Sequence, residues 1–177
     1  MKTAATHLYG VSTRCPDDIR SMADQARTAH DVTDDEGRVD VDLLLCQLGG
    51  RKISVNDRAT LVVTKPGEFL VFERSWRTDR QRRFDIAQAI GRYHLLYLHP
   101  TPGRELVTIS QDYGDGRDEV EANVFASTLL TPAAPFAAMW SAAADRQERV
   151  RATSVRFGVS PALAGHRAAI LGLAGAD

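Results

Sequence analysis

The stretch RRFDIAQAIGRYHLL, residues 82–96, constrains the fold more than any other part of the chain. From Thr78 or Asp79 to about His99, apolar or small residues return at Phe84, Ala87, Ile90, Gly91, Leu95 and Leu98. That spacing of three and four lays a broad apolar side along one long helix. Before it come KISV, TLVVT and EFLVFE, β-branched and aromatic runs, the last two separated by Lys65-Pro66-Gly67 turn chemistry. They are read as a small sheet, antiparallel by the hairpin signal, with ELVTIS as a further strand and QDYGDGRD as a turn-rich loop.

Helices flank this centre on both sides. CPDDIRSMADQARTAH has Pro16 suited to a first turn, two acids where the positive helix end favours them, and apolar residues at Ile19, Met22 and Ala26. VDVDLLLCQLGG offers Asp40 or Asp42 as a cap, an apolar face through Leu43, Leu44 and Leu48, and a glycine stop. Between them, DVTDDEGRVDVD is acidic, but its glycine falls one place later than the sharp turn of a calcium loop requires, so it reads as a solvated loop. Later, EVEANVFASTLL forms a helix stopped at Thr131-Pro132, PAAPFAAMWSAAA another, and the last two helices meet at Gly158-Val159-Ser160. Helices, a small sheet, then helices make an α+β protein.

A length of 177 residues with 44% apolar content fits one domain, residues 1–177, with about 144–177 as a helical C-terminal extension. A formal net charge of -1 gives no global attraction to nucleic acid or an anionic membrane. No segment approaches the ~20 apolar residues of a membrane span, and MKTAATHLYGVSTRC lacks the apolar run of a signal peptide. The expected location is the cytoplasm, where Cys15 and Cys46 stay free thiols.

Three segments, in order, resemble the ImmA/IrrE-type zinc metallopeptidases. RRFDIAQAIGRYHLL is similar to that family's R-x-F-T-I-A-H-E-L-G-H-x-L-L helix, EVEANVFASTLLTP to its E-x-E-A-N-x-F-A-x-x-L-L-M-P helix, and VRFGVSPALAGHRAAILGL to its closing F-x-V-S-x-x-A segment. The resemblance implies a gluzincin-like core, a small twisted antiparallel or mixed sheet against the active-site helices. In an intact motif two histidines four apart share one zinc ion and the intervening glutamate is the general base. The resemblance also implies a third ligand at Glu119, with Glu121 as the alternative.

This chain has lost the letters that do the chemistry. Gln88 and Arg92 stand at the histidine positions and Ala89 at the base. A carboxamide is a weak neutral ligand, a guanidinium stays protonated, and alanine offers no base. The expectation is therefore a degenerate cleft with Gln88, Ala89, Arg92, Glu119 and Glu121 as binding residues, no catalytic residue, no metal and no cofactor. Leaving Glu119 without a metal would strand an acid, so Arg92 is expected to bridge it directly, with Gln88 hydrogen-bonding nearby.

Three other features compete for attention. His94 and His99 offer a relocated metal site, but on a regular helix His94 points about 200° away from Arg92 and His99 sits roughly 10 Å along the axis, so His94 reads as a half-buried packing residue. His7, His30 and His166 lie in unrelated segments and read as surface or capping groups. The arginine-rich RSWRTDRQRR, residues 74–83, suits phosphates or an acidic protein surface, against the plainer reading of a solvated helix start. The closing helices have the rhythm of a DNA-reading helix-turn-helix, yet only His166 and Arg167 on the second could touch DNA, so packing explains it better.

The reading is a pseudopeptidase of the ImmA/IrrE type that binds a protein. The resemblance implies a helix-turn-helix transcriptional regulator as partner, in a phage, mobile-element or stress circuit. Direct nucleic-acid binding and a membrane role are not expected. The alternative is an active metallopeptidase with unconventional ligands that cleaves a repressor. Partner binding is expected along the cleft floor and on EFLVFE as an open sheet edge.

Overall fold

The computed structural model describes residues 14–56, 61–100, 109–110 and 116–174. Residues 105–108 of the fourth strand candidate, residues 111–115 of the turn-rich loop, and His7 lie outside them. Helix α1, Pro16–Ala29, starts with proline at its first position and buries Ile19, Ala23 and Ala26. Helix α2, Val41–Gln47, is capped by Asp40, whose carboxylate accepts from the amides of Asp42 at 3.1 Å and Leu43 at 2.9 Å. Its inward face is Val41, Leu44 and Leu45, while Leu43 is 43% exposed. The expected Leu43, Leu44 and Leu48 face is thus rotated onto Val41, Leu44 and Leu45, which lie three and four apart on one side of the helix, a side Leu43 does not share.

The acidic loop between α1 and α2 is fastened at its tip. Asp34 accepts from the backbone amides of Glu36 and Arg38, and Arg156 pairs with both Asp34 at 2.7 Å and Glu36 at 2.8 Å. Burial disfavours the Asp34 carboxylate, but the amide bonds and Arg156 together hold its pKa below the ordinary value.

The sheet has four strands, β1 (Gly50–Val55), β2 (Leu61–Lys65), β3 (Glu68–Arg74) and β4 (Ile109–Ser110), in the order β1-β3-β2-β4. Strands β2 and β3 form the antiparallel hairpin expected around Gly67, whose φ of 73° suits glycine. Strand β1, however, runs parallel to β3, with Gly50 opposite Phe69 and Val55 opposite Arg74. The sheet is therefore mixed. EFLVFE is not an open edge either: β3 is held between β1 and β2, and the described sheet ends at β1 and β4. The strand with buried Phe69 and Val71 takes the interior, whereas β1 exposes Arg51, Lys52, Ile53 and Ser54, charged chemistry suited to an edge.

One face of this sheet lies on helix α3, Asp79–Arg92. A full capping box starts it: the Thr78 hydroxyl accepts from the Gln81 amide and the Gln81 side chain accepts from the Thr78 amide. The helix then continues as a π-helical segment, Tyr93–Leu98, closed by His99 N–H donating to His94 C=O at 2.9 Å. Tyr93 stacks on Phe69 with centroids 4.1 Å apart, and its hydroxyl accepts from the Gly67 amide at 2.8 Å. Sheet, hairpin turn and helix are thereby joined through one side chain.

Helix α4, Gly116–Leu130, packs on the other flank of α3. The approach is close at Gly91, where an added Cβ would meet the Phe125 side chain at 3.0 Å. Helices α5 (Ala133–Ala142), α6 (Arg146–Phe157) and α7 (Pro161–Ile170) complete the chain. Gly158 closes α6 in the left-handed region at φ 62°, and the Ser160 hydroxyl accepts from the Leu163 amide to start α7. Arg167 is 3% exposed and donates to Thr131 C=O at 3.0 Å, so α7 turns this cation inward as a packing strut. No described helix is long and apolar enough to cross a membrane.

Gly91→Ala sets two effects against each other. Alanine favours a helix by about 1 kcal/mol, but overpacking against a fully buried ring costs roughly 1–3 kcal/mol. Net destabilisation of about 1 kcal/mol is expected, read as a lower urea midpoint.

Candidate functional site

A cleft of about 820 Å³ opens between the C-terminal half of β3, α3, α4 and the start of α7. Gln81, Asp85, Gln88 and Arg92 reach it from one side of α3, at the three- and four-residue spacing that puts side chains on a common helical face. Glu119 and Asn123, four apart, reach it from α4. The floor is tied across by Gln88 Nε2 donating to Asn123 Oδ1 at 2.8 Å. Asn123 belongs to the E-x-E-A-N pattern but was given no role by the sequence; its place one turn after Glu119 was the available signal.

Four of the five expected binding residues, Gln88, Ala89, Arg92 and Glu119, line this one cleft. Glu121 does not. It is 5% exposed and outside the cleft lining, because two residues along a helix turn it about 200° from Glu119. The expected bridge is also corrected: among the described residues neither Arg92 nor Glu119 forms an ion pair, and Glu119 is solvent-exposed. Exposure removes the reason for the bridge, since a hydrated carboxylate is not stranded.

The charge of Arg92 is felt instead at a neighbouring carboxylate of the lining, Asp85. Asp85 pairs with Arg77 at 3.2 Å and feels the charges of Arg77, Arg74 and Arg92. Its burial outweighs these cations and raises its pKa above the ordinary value. The arginine-rich head of α3 is likewise more than a solvated helix start. Arg83 donates to the carbonyls of Val39 and Phe157, tying the loop before α2 and the end of α6 to α3, and burial lowers its pKa to about 10.

His94 lies away from the cleft. It is 8% exposed, stacked on Phe125 with centroids 5.3 Å apart, and its Nε2 has no hydrogen-bond partner. The π-helical turn brings His99 over it, with ring centroids 6.3 Å apart, which an α-helical projection would not do. Desolvation, reinforced by His99 and His30, lowers the pKa of His94 to about 4. Its imidazole is therefore neutral at pH 7. Among the described residues no three His, Cys, Asp or Glu side chains converge as a metal-binding group.

A profile of the IrrE N-terminal-like domain, a peptidase family, matches residues 40–169, about three quarters of the chain. The chain belongs to this family. Among curated proteins, none matches it. Within the IrrE-like domain the matched span runs from the cap of α2 into α7 and contains the whole described cleft floor. The zinc ion implied by the family's motif does not suit the residues present. Gln88 is engaged with Asn123, Ala89 carries no donor atom, and Arg92 would bring a fixed positive charge beside a divalent cation.

The buried imidazole makes stability depend on pH. Because the folded-state pKa lies below the unfolded value, the unfolded chain binds the extra proton as pH falls from 6.5 towards 4. The contribution is full above pH 6.5 and is lost across that window, by up to about 3 kcal/mol. Urea unfolding at neutral and acid pH should show a steeper loss for the native chain than for His94→Phe.

Proposed function

We propose that this IrrE-like domain is a non-catalytic pseudopeptidase that binds a protein through the former active-site cleft. The supporting observation is the Gln88–Asn123 hydrogen bond across the floor, in the place where the family's motif would seat its metal. Gln88, Ala89, Arg92 and Glu119 are the binding residues of this reading. Glu121 drops out because it is buried outside the cleft lining. The carboxamide pair organises the floor without a metal; Arg92, which has no ion pair among the described residues, is available to a charged group of a ligand, and the exposed Glu119 selects which charges the cleft accepts.

The partner in this reading is a helix-turn-helix transcriptional regulator of a phage, mobile-element or stress circuit, met in the cytoplasm. Family resemblance supports that partner. DNA contact by the chain itself is not part of the reading, since Arg167 is turned inward and its guanidinium serves the fold.

Elemental analysis after dialysis should find no retained zinc, and co-purification with the products of neighbouring genes should capture a helix-turn-helix protein. Stoichiometric zinc, or peptide cleavage lost on Glu119→Gln, would establish the metallopeptidase alternative instead. The combined replacement Gln88→His, Ala89→Glu and Arg92→His should create zinc binding, with Glu119 as third protein ligand. Failure of that folded variant to take up zinc would show that this cleft is not the former metal site.

A further inference from the structure

The arginines at the head of α3 divide into two groups. Arg83 serves the fold and Arg82 pairs with Asp79. Arg74, Arg77 and Arg80 instead line the cleft, where Arg92 joins them. Of the acids in the same lining, Asp85 is paired with Arg77, and Glu73 lies 4.0 Å from Lys52, which is outside the cleft. Arg80 reaches a neutral partner, the Ser154 hydroxyl at 3.4 Å, and Arg92 has no ion pair among the described residues. A chain of formal net charge -1 thus concentrates guanidinium groups along one concave wall.

The same wall has apolar and aromatic surface. Phe84 and Leu163 line the cleft, and beside it Trp76 is 63% exposed. The guanidinium groups of Arg74 and Arg77 lie 5.7 and 5.1 Å from the Trp76 ring, so cations and a large aromatic surface sit side by side at the cleft margin. Tryptophan and arginine together are the residue types that most often dominate protein interfaces.

We propose that the cleft receives an acidic segment of the protein partner, with carboxylates on Arg80 and Arg92, an apolar side chain against Phe84 and Leu163, and Trp76 at the margin. The proposal rests on the protein-binding reading of the cleft and adds the chemistry of the occupant. Nucleic acid fits less well: a phosphate backbone favours a basic track, while this lining alternates cations with apolar side chains and one exposed acid, Glu119.

The test uses the full chain and a short fluorescein-labelled peptide of alternating Glu and Leu, beside its Gln and Leu counterpart. Anisotropy should show the acidic peptide binding about tenfold tighter or more, with an affinity that falls as salt rises. Arg80→Gln with Arg92→Gln should lose about tenfold, Arg151→Gln on exposed α6 should change little, and Glu119→Gln should tighten binding by removing the unpaired acid. Tightening is an outcome that mere loss of fold cannot produce. Equal affinity for the neutral peptide, an unaffected double variant, or better binding of a DNA duplex overturns the proposal. Hydrolysis of the acidic peptide would instead defeat the non-catalytic reading while leaving the charge preference intact.

Discussion

The close approach of α3 to α4 at Gly91 and Phe125 governs the rest of the molecule. Without a side chain at Gly91, the Phe125 ring lies directly on the α3 backbone, and the two helices present Gln88 and Asn123 to one another at hydrogen-bond distance. The glycine of the family's active-site motif is therefore a packing residue in this chain. The spacing between the two helices depends on it.

The cleft beside this contact differs in its electrostatics from a metal site. A metal site concentrates positive charge at one point and neutralises it with donor atoms from both helices. Here the positive charge is spread over guanidinium groups along the wall, while the floor is closed by two neutral carboxamides. Alanine at position 89 brings an apolar methyl group to that lining and no group that could take up a proton.

Much of this arrangement was legible in the sequence because local chemistry determines it. Proline at the start of α1, the Asp40 cap of α2 and the Gly158-Val159-Ser160 turn between α6 and α7 all act within a few residues. Strand order was not legible in that way. The hairpin signal correctly paired β2 with β3, but the parallel partnership with β1 brings together residues far apart in the chain, and it moves EFLVFE from edge to interior. Motif matching placed Gln88, Arg92 and Glu119 on one cleft, yet it gave positions and not side-chain reach, and among the described residues Arg92 and Glu119 form no ion pair. Glu121 shows the same limit: its letter matches, while helical phase carries it into the interior.

The π-helical segment has a consequence for how the long helix faces its surroundings. One residue more than an α-helical turn requires puts the chain beyond it out of step by about 100°. The same continuous rod shows its polar side to the cleft at Gln88 and Arg92 and, immediately afterwards, buries Tyr93, His94, Leu95 and Leu96 in succession. The widened turn then brings His99 back over the His94 ring, so the rod that lines the groove closes over its own buried end without an intervening loop.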